Sequence, residues 1–239
     1  MASLLSIERR EAVALITLQR PEKRNALSID LRVELAECFA GLGDDDTVGC
    51  VVLTGAGSAF CAGMDVTQFG GDAAHKRRLV ETSAAAFDAV GSCPRPVVAA
   101  VNGPAVAGGF ALALLCDLRI AATGATFGFP ELRRGIPPSY AAARAVLSAA
   151  AAAEICLTGR VFGAEEALRL GAVSEVAPRD VVERALEVAM AIAAAPRAAT
   201  LETKRRALLD RERTFGPLFA EEERVFREAL LRPQRGDAA

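Results

Sequence analysis

Apolar residues fall into two rhythms along the chain. In the first half they form short unbroken runs closed by glycine, proline or charge. Residues 13–18 (VALITL) stop at Arg20-Pro21, residues 50–54 run into Gly55, and residues 97–101 run into Asn102-Gly103-Pro104. Runs of this length suit strands buried on both faces. Between them the period becomes helical: Leu31, Leu35 and Phe39 share one face over 28–39, a helix expected to end at Gly41, Gly43 and Asp44-Asp45-Asp46. Residues 72–90 also read as helix, 118–121 and 126–128 as short strands, and 130–139, with three prolines, as loop. Helical patterns then dominate, at 140–147, 152–157, 164–170, 178–194, 197–209 and 215–231. The pattern is α/β with a mostly helical second part. The expected division is a core domain over 1–195 and a C-terminal helical region over 196–239.

Composition narrows the class of function. The 239 residues are 52% hydrophobic and carry a net charge of −2, without tryptophan, so a large core is expected and a nucleic-acid surface is not. Residues 96–116 are uncharged, about the length that spans a bilayer. Asn102-Gly103-Pro104 and Gly108-Gly109 instead divide them into strand, loop and buried helix, so no membrane association is expected. Several of the six cysteines sit in apolar runs, no pair is spaced for zinc, and the first ten residues lack the apolar stretch of a signal peptide. The expectation is a reduced, cytoplasmic protein.

Several motifs lead nowhere. Gly55-Ala56-Gly57 begins like a dinucleotide fingerprint, but Phe60 stands where the third glycine belongs. No phosphate loop or nucleophile elbow is present. The sole histidine, His75, lies in a polar run that reads as a solvated helix face, as does Lys204-Arg205-Arg206.

Two loops remain, each following a buried strand: residues 59–66 (AFCAGMDV) and 101–110 (VNGPAVAGGF). Glycines at the start of a buried helix permit close backbone approach, and first-turn N–H groups have no partner within the helix. Aided by the helix dipole, they favour negative charge on a bound oxygen, and an N–H from the first loop would complete an oxyanion hole. The same glycines also suit plain packing of helix on sheet, and spacing alone does not decide.

Segments 20–27 (RPEKRNAL), 52–65, 96–117 and 127–131 (FGFPE), continued by Leu157-Thr158-Gly159-Arg160 and residues 164–173, resemble the enoyl-CoA hydratase/isomerase (crotonase) superfamily in order and type. The resemblance covers roughly residues 5–210. It implies a crotonase-like spiral of ββα units, trimers or pairs of trimers, and acyl-CoA thioester substrates with no permanently bound cofactor. By motif position, the thioester carbonyl lies between the N–H groups of Met64 and Gly108, and Glu131 is the acid/base. Arg24, Ala26, Leu27, Ala62, Gly63, Asp65, Val66 and Gly109 fall in the segments that bind substrate, although Asp65 and Asp117 themselves look structural.

The chain departs from the hydratase pattern at one carboxylate: the position of the first glutamate holds Ala111. A single carboxylate suits shifting a double bond somewhat better than adding water, which two usually share. Other chemistry of the same scaffold (decarboxylation, thioester hydrolysis, carbon–carbon cleavage) and a non-catalytic acyl-CoA-binding subunit stay open. Glu131, in an apolar stretch, is expected to have a raised pKa, with an ion pair to Arg133 or Arg134 as the structural alternative. Tyr140 is expected to pack rather than reach an acyl group. Phe215, Phe219 and Phe226 form an apolar stripe, accounted for most simply by core burial and, from the resemblance, by covering a site or joining subunits.

Overall fold

In the computed structural model, which describes residues 3–231, the apolar runs become neighbours in one sheet. Its six strands lie in the order β1 (Leu5–Arg10), β2 (Val13–Leu18), β3 (Cys50–Gly55), β4 (Val97–Val101), β6 (Leu118–Ala122) and β9 (Glu175–Ala177). The first pair is an antiparallel hairpin turning at Glu11, whose φ is +54°, and every later pairing is parallel. A smaller sheet joins β5 (Ala105–Val106), β7 (Thr126–Gly128) and β8 (Val161–Gly163).

The unbroken apolar runs reflect cover on both faces. Ala14, Ile16, Leu18, Val51, Leu53, Val97, Ala99 and Val101 point to one core, with α1 (Ile29–Asp44), α2 (Ala73–Gly91) and α3 (Gly108–Leu115). The alternate residues Val13, Leu15, Cys50, Val52, Val98 and Ala100 point to the other, closed by Val181, Ala185, Leu186 and Ala189 of α7 (Val181–Ala194). Each fully buried Leu or Val contributes about 1.5–3 kcal/mol, so neither face tolerates a one-residue slip of register.

Helix ends differ from expectation where packing overrides glycine. Helix α1 runs through Gly41 and Gly43 because Leu42 is 4% exposed and Gly43 lies against Pro94. The helix expected at 140–147 is only α4 (Tyr140–Arg144), and a new cap at Ser148 starts α5 (Ala149–Thr158). After α6 (Ala164–Arg169), the chain closes with α8 (Arg197–Thr214) and α9 (Gly216–Leu231); residues 232–239 lie outside the described part.

Helix α8 is pinned to the sheet by charge. Lys204 is buried, contrary to the solvated face expected of it, because its ammonium reaches Asp117 Oδ2 at 2.6 Å. Arg211 joins the same carboxylate at 3.1 Å, and Asp117 also accepts the Val97 N–H at 2.8 Å. This cluster directs α9 back over α2 and α4. The uncharged stretch 96–116 is divided among β4, β5 and α3, and among the described residues no helix is long and apolar enough to cross a membrane. All six cysteines are free thiols.

Candidate active site

The two glycine-bearing loops leave the carboxyl ends of β3 and β4, the edge at which parallel sheets bind ligands. Two asparagines tie them down. Fully buried Asn25 donates to the carbonyls of Ala56 (2.9 Å) and Ala59 (2.8 Å) and accepts the Arg20 N–H (3.0 Å). Asn102 donates to Gly55 (2.8 Å) and Gly57 (3.0 Å). Asp65 accepts from the Thr67 hydroxyl at 2.6 Å and Arg20 at 2.9 Å. Burial alone would raise its pKa, but these donors hold it below the usual carboxylate range.

The loops interlock where side chains are absent. A Cβ at Gly109 would stand 2.1 Å from the Cys61 carbonyl oxygen, and one at Gly63 (φ +89°) would stand 3.0 Å from the Gly108 nitrogen. Between them Ala107 adopts φ +54°, ψ −133°, a conformation costing about 1–3 kcal/mol in a residue with a side chain. It is enforced from both sides: its N–H donates to Gly128 at 2.9 Å, and its carbonyl accepts from Phe110 (2.9 Å) and Ala111 (3.1 Å). The Leu27–Met64 bridge uses the carbonyl of Gly63 and the N–H of Asp65, passing over the Met64 N–H. Among the described residues, neither the Met64 nor the Gly108 N–H has an acceptor in the protein. The Gly108 group is the first of α3, where the helix dipole is positive.

Beside these groups lies an apolar cavity of about 560 Å³, walled by Val80 and Phe87 of α2, Leu115 of α3, and Phe215, Phe219 and Phe226. Phe215 and Phe219 stack at 4.7 Å, and Phe87 meets Phe219 edge-on at 6.4 Å. The stripe of Phe215, Phe219 and Phe226 therefore both packs in the core, through Phe215 and Phe219, and covers the cavity. Glu131 reaches the same space from the 3₁₀ turn Pro130–Arg134. Its Oε2 is buried with no hydrogen-bond partner, and neither Arg133 nor Arg134 pairs with it among the described residues. Burial pushes its pKa up to about 7.

Of the residues singled out in the sequence, Arg24, Ala62, Met64, Val66, Gly108 and Glu131 line this cavity together, and Ala111 lines it without a carboxylate. Ala26, Leu27, Gly63, Asp65 and Gly109 stand outside its lining: Leu27 lies in the core, and the two glycines are where the loops touch. Tyr140 packs against the core instead of facing the cavity. Several lining residues were not foreseen, and one of them is an acid turned toward the cavity. Glu222 of α9 projects into the wall, and its signal was available: Phe219, Glu222 and Phe226 are spaced to share one helical face.

Comparisons with known proteins identify the family and the fold. The family model for enoyl-CoA hydratase/isomerase matches residues 8–230. A Mycobacterium tuberculosis protein named "Probable enoyl-CoA hydratase EchA14" is 40% identical over 240 aligned positions, covering 97% of this chain and 90% of its own. The hydroxycinnamoyl-CoA hydratase-lyase of Pseudomonas fluorescens is 34% identical over 183 positions, covering 73% of this chain and 66% of its own. A crystal structure of an enoyl-CoA hydratase/isomerase from Mycobacterium paratuberculosis superposes with TM-score 0.91 at 31% identity, covering 97% of this chain and 95% of that one.

Proposed function

Because the chain belongs to the enoyl-CoA hydratase/isomerase family, we propose that its cavity takes the acyl part of a coenzyme A thioester and that Glu131 moves protons along it. The chain is an enzyme with the crotonase fold; the roles of its residues are the proposal. The thioester carbonyl sits between the N–H groups of Met64 and Gly108. Taking a proton from the carbon beside that carbonyl puts negative charge on its oxygen, and fixed donors stabilise that charge without reorganising. Each such donor is typically worth about 2.7–4 kcal/mol.

Glu131 suits the proton transfer because a group titrating near neutrality both accepts and returns a proton without a large energetic gap. Acting alone, it takes a proton from C2 of a 3-enoyl thioester and delivers one to C4, leaving the double bond conjugated with the carbonyl. Arg24, exposed at the cavity rim, is placed to meet the charged coenzyme A portion. No cofactor beyond the substrate's own coenzyme A is required.

The observation that carries this reading is the orphaned Glu131 Oε2 in the same apolar cavity as two unengaged N–H groups. The test is turnover of trans-3-octenoyl-CoA by wild type and Glu131→Gln. The expected loss is about 10²–10⁴-fold, the usual contribution of a positioned acid/base. A variant within about threefold of wild type would remove Glu131 from the chemistry.

A further inference from the structure

The cavity contains a second carboxyl group that the proton shuttle above does not use. Six of its lining residues are charged: Arg24, Glu131, Arg134, Glu221, Glu222 and Glu223. Glu221 and Glu223 are engaged by Arg224 and Arg227, each at 2.6 Å. Glu222 lies between them, turned inward, and among the described residues meets no cation. Its partners are neutral: the Ser139 hydroxyl donates to Oε2 at 2.8 Å and the Ala141 N–H donates to Oε1 at 2.7 Å.

This arrangement fixes the carboxyl while leaving it chemically available. Each carboxylate oxygen offers two lone-pair sites, so one acceptor position per oxygen remains after these bonds. Burial raises the pKa of the group, against the lowering effect of the Ala141 N–H, the Ser139 hydroxyl and the Tyr140 N–H, which makes the anion a better base than an exposed glutamate. Burial pushes up the thiol of Cys156 on α5, and the charges of Glu222 and Glu131 both add to the rise, so the two carboxyls face one neighbourhood. Apart from Ser83 and Ser139 the remaining wall is apolar, and Ala111 supplies no competing polar group.

Building on the reading of the site given above, we propose that Glu222, carried by the covering helix α9, is the second carboxyl of the active site: it holds and deprotonates the water that adds to a 2-enoyl thioester. The water oxygen bonds to C3 as one of its protons passes to the Glu222 carboxylate. The C2=C3 electron pair moves into the enolate held at Met64 and Gly108, and C2 then takes a proton from the Glu131 carboxyl. Glu222 has gained one proton and Glu131 has lost one, and exchange through the next water resets the pair. The product is a 3-hydroxyacyl thioester. The chain then hydrates despite Ala111, using a base on the C-terminal helix in place of one on α3.

A purely anchoring Glu222, holding α9 to the start of α4, would affect every reaction in the cavity equally. The experiment therefore compares two reactions in one variant: hydration of trans-2-octenoyl-CoA and isomerisation of trans-3-octenoyl-CoA, with products resolved by chromatography. Glu222→Gln keeps the anchor, since the amide oxygen accepts from Ala141 and the amide nitrogen donates to the Ser139 hydroxyl oxygen. Hydration is expected to fall about 100-fold or more while isomerisation changes less than about threefold. Equal losses in both, unchanged hydration, or a wild type that does not hydrate would each overturn the proposal. If Glu222→Gln fails to melt cooperatively, Ser139→Ala, which removes one donor and leaves the carboxyl, decides in its place. It should lower hydration several-fold more than isomerisation, and equal losses refute the assignment. Glu131→Gln separates the two claims: its failure to impair isomerisation would remove the first, whereas an even response to Glu222→Gln removes only the second.

Discussion

Glu131→Gln replaces a carboxyl that burial holds protonated up to about pH 7 with a neutral group of the same shape, so its effect on stability should depend on pH. Below the ordinary value of 4.5 the carboxyl is protonated in both the folded and the unfolded chain, and the variant and wild type should be equally stable. Between 4.5 and about 7 the unfolded chain releases this proton while the folded chain keeps it. Wild-type stability contributed by this group is therefore lost as pH rises through that window, and above it the loss is complete. At about 1.4 kcal/mol for each tenfold change in proton affinity, the full shift corresponds to about 3 kcal/mol. The open cavity beside the carboxyl screens part of this, leaving roughly 2 kcal/mol. Urea unfolding of both proteins at about pH 4, 5, 6, 7 and 8 measures the difference directly. The variant should match wild type at the acid end and be the more stable by roughly 2 kcal/mol at the alkaline end, while losing activity. A difference independent of pH, or a variant less stable at about pH 8, would show that Glu131 is not desolvated in the folded protein.

Two adjacent glycines should separate stability from activity. Gly109→Ala drives a methyl into the Cys61 carbonyl and should cost about 3 kcal/mol or prevent soluble expression, as a thermal melt would show. At Gly108 a Cβ meets only ordinary contacts, the nearest being Phe87 Cζ at 3.4 Å, and it lies beside the cavity. Gly108→Ala should therefore fold within about 1 kcal/mol of wild type yet raise KM several-fold for an octenoyl-CoA substrate. Lys204→Ala leaves half-buried Asp117 with Arg211 as its only charged partner among the described residues and should cost about 3 kcal/mol in denaturant unfolding.

Local pattern was sufficient where one stretch of chain carries its own explanation. Strands β2, β3 and β4 were legible because cover on both faces demands continuous apolar runs, and the glycine loops were legible because close backbone approach excludes side chains. Strand β1 was not: Ile7 is 52% exposed, and its charged neighbours resemble loop until β2 supplies the partner. Lys204 read as surface because a lone ammonium is costly to bury. Asp117, 87 residues away, makes that burial favourable.

Sequence order alone thus determined an α/β chain and its two glycine-bearing loops, and the family resemblance singled out Glu131 as the candidate acid. Only the tertiary structure decided which groups share the cavity. Carboxyls on the 130–134 turn and on α9 line one cavity because charge pins α8 and stacked phenylalanines seat the helix after it. Burial and partnership are properties of surroundings assembled from distant segments. No window of sequence around Glu222 distinguishes an acid on a wet helix from one turned into an apolar chamber, beyond its place between two phenylalanines.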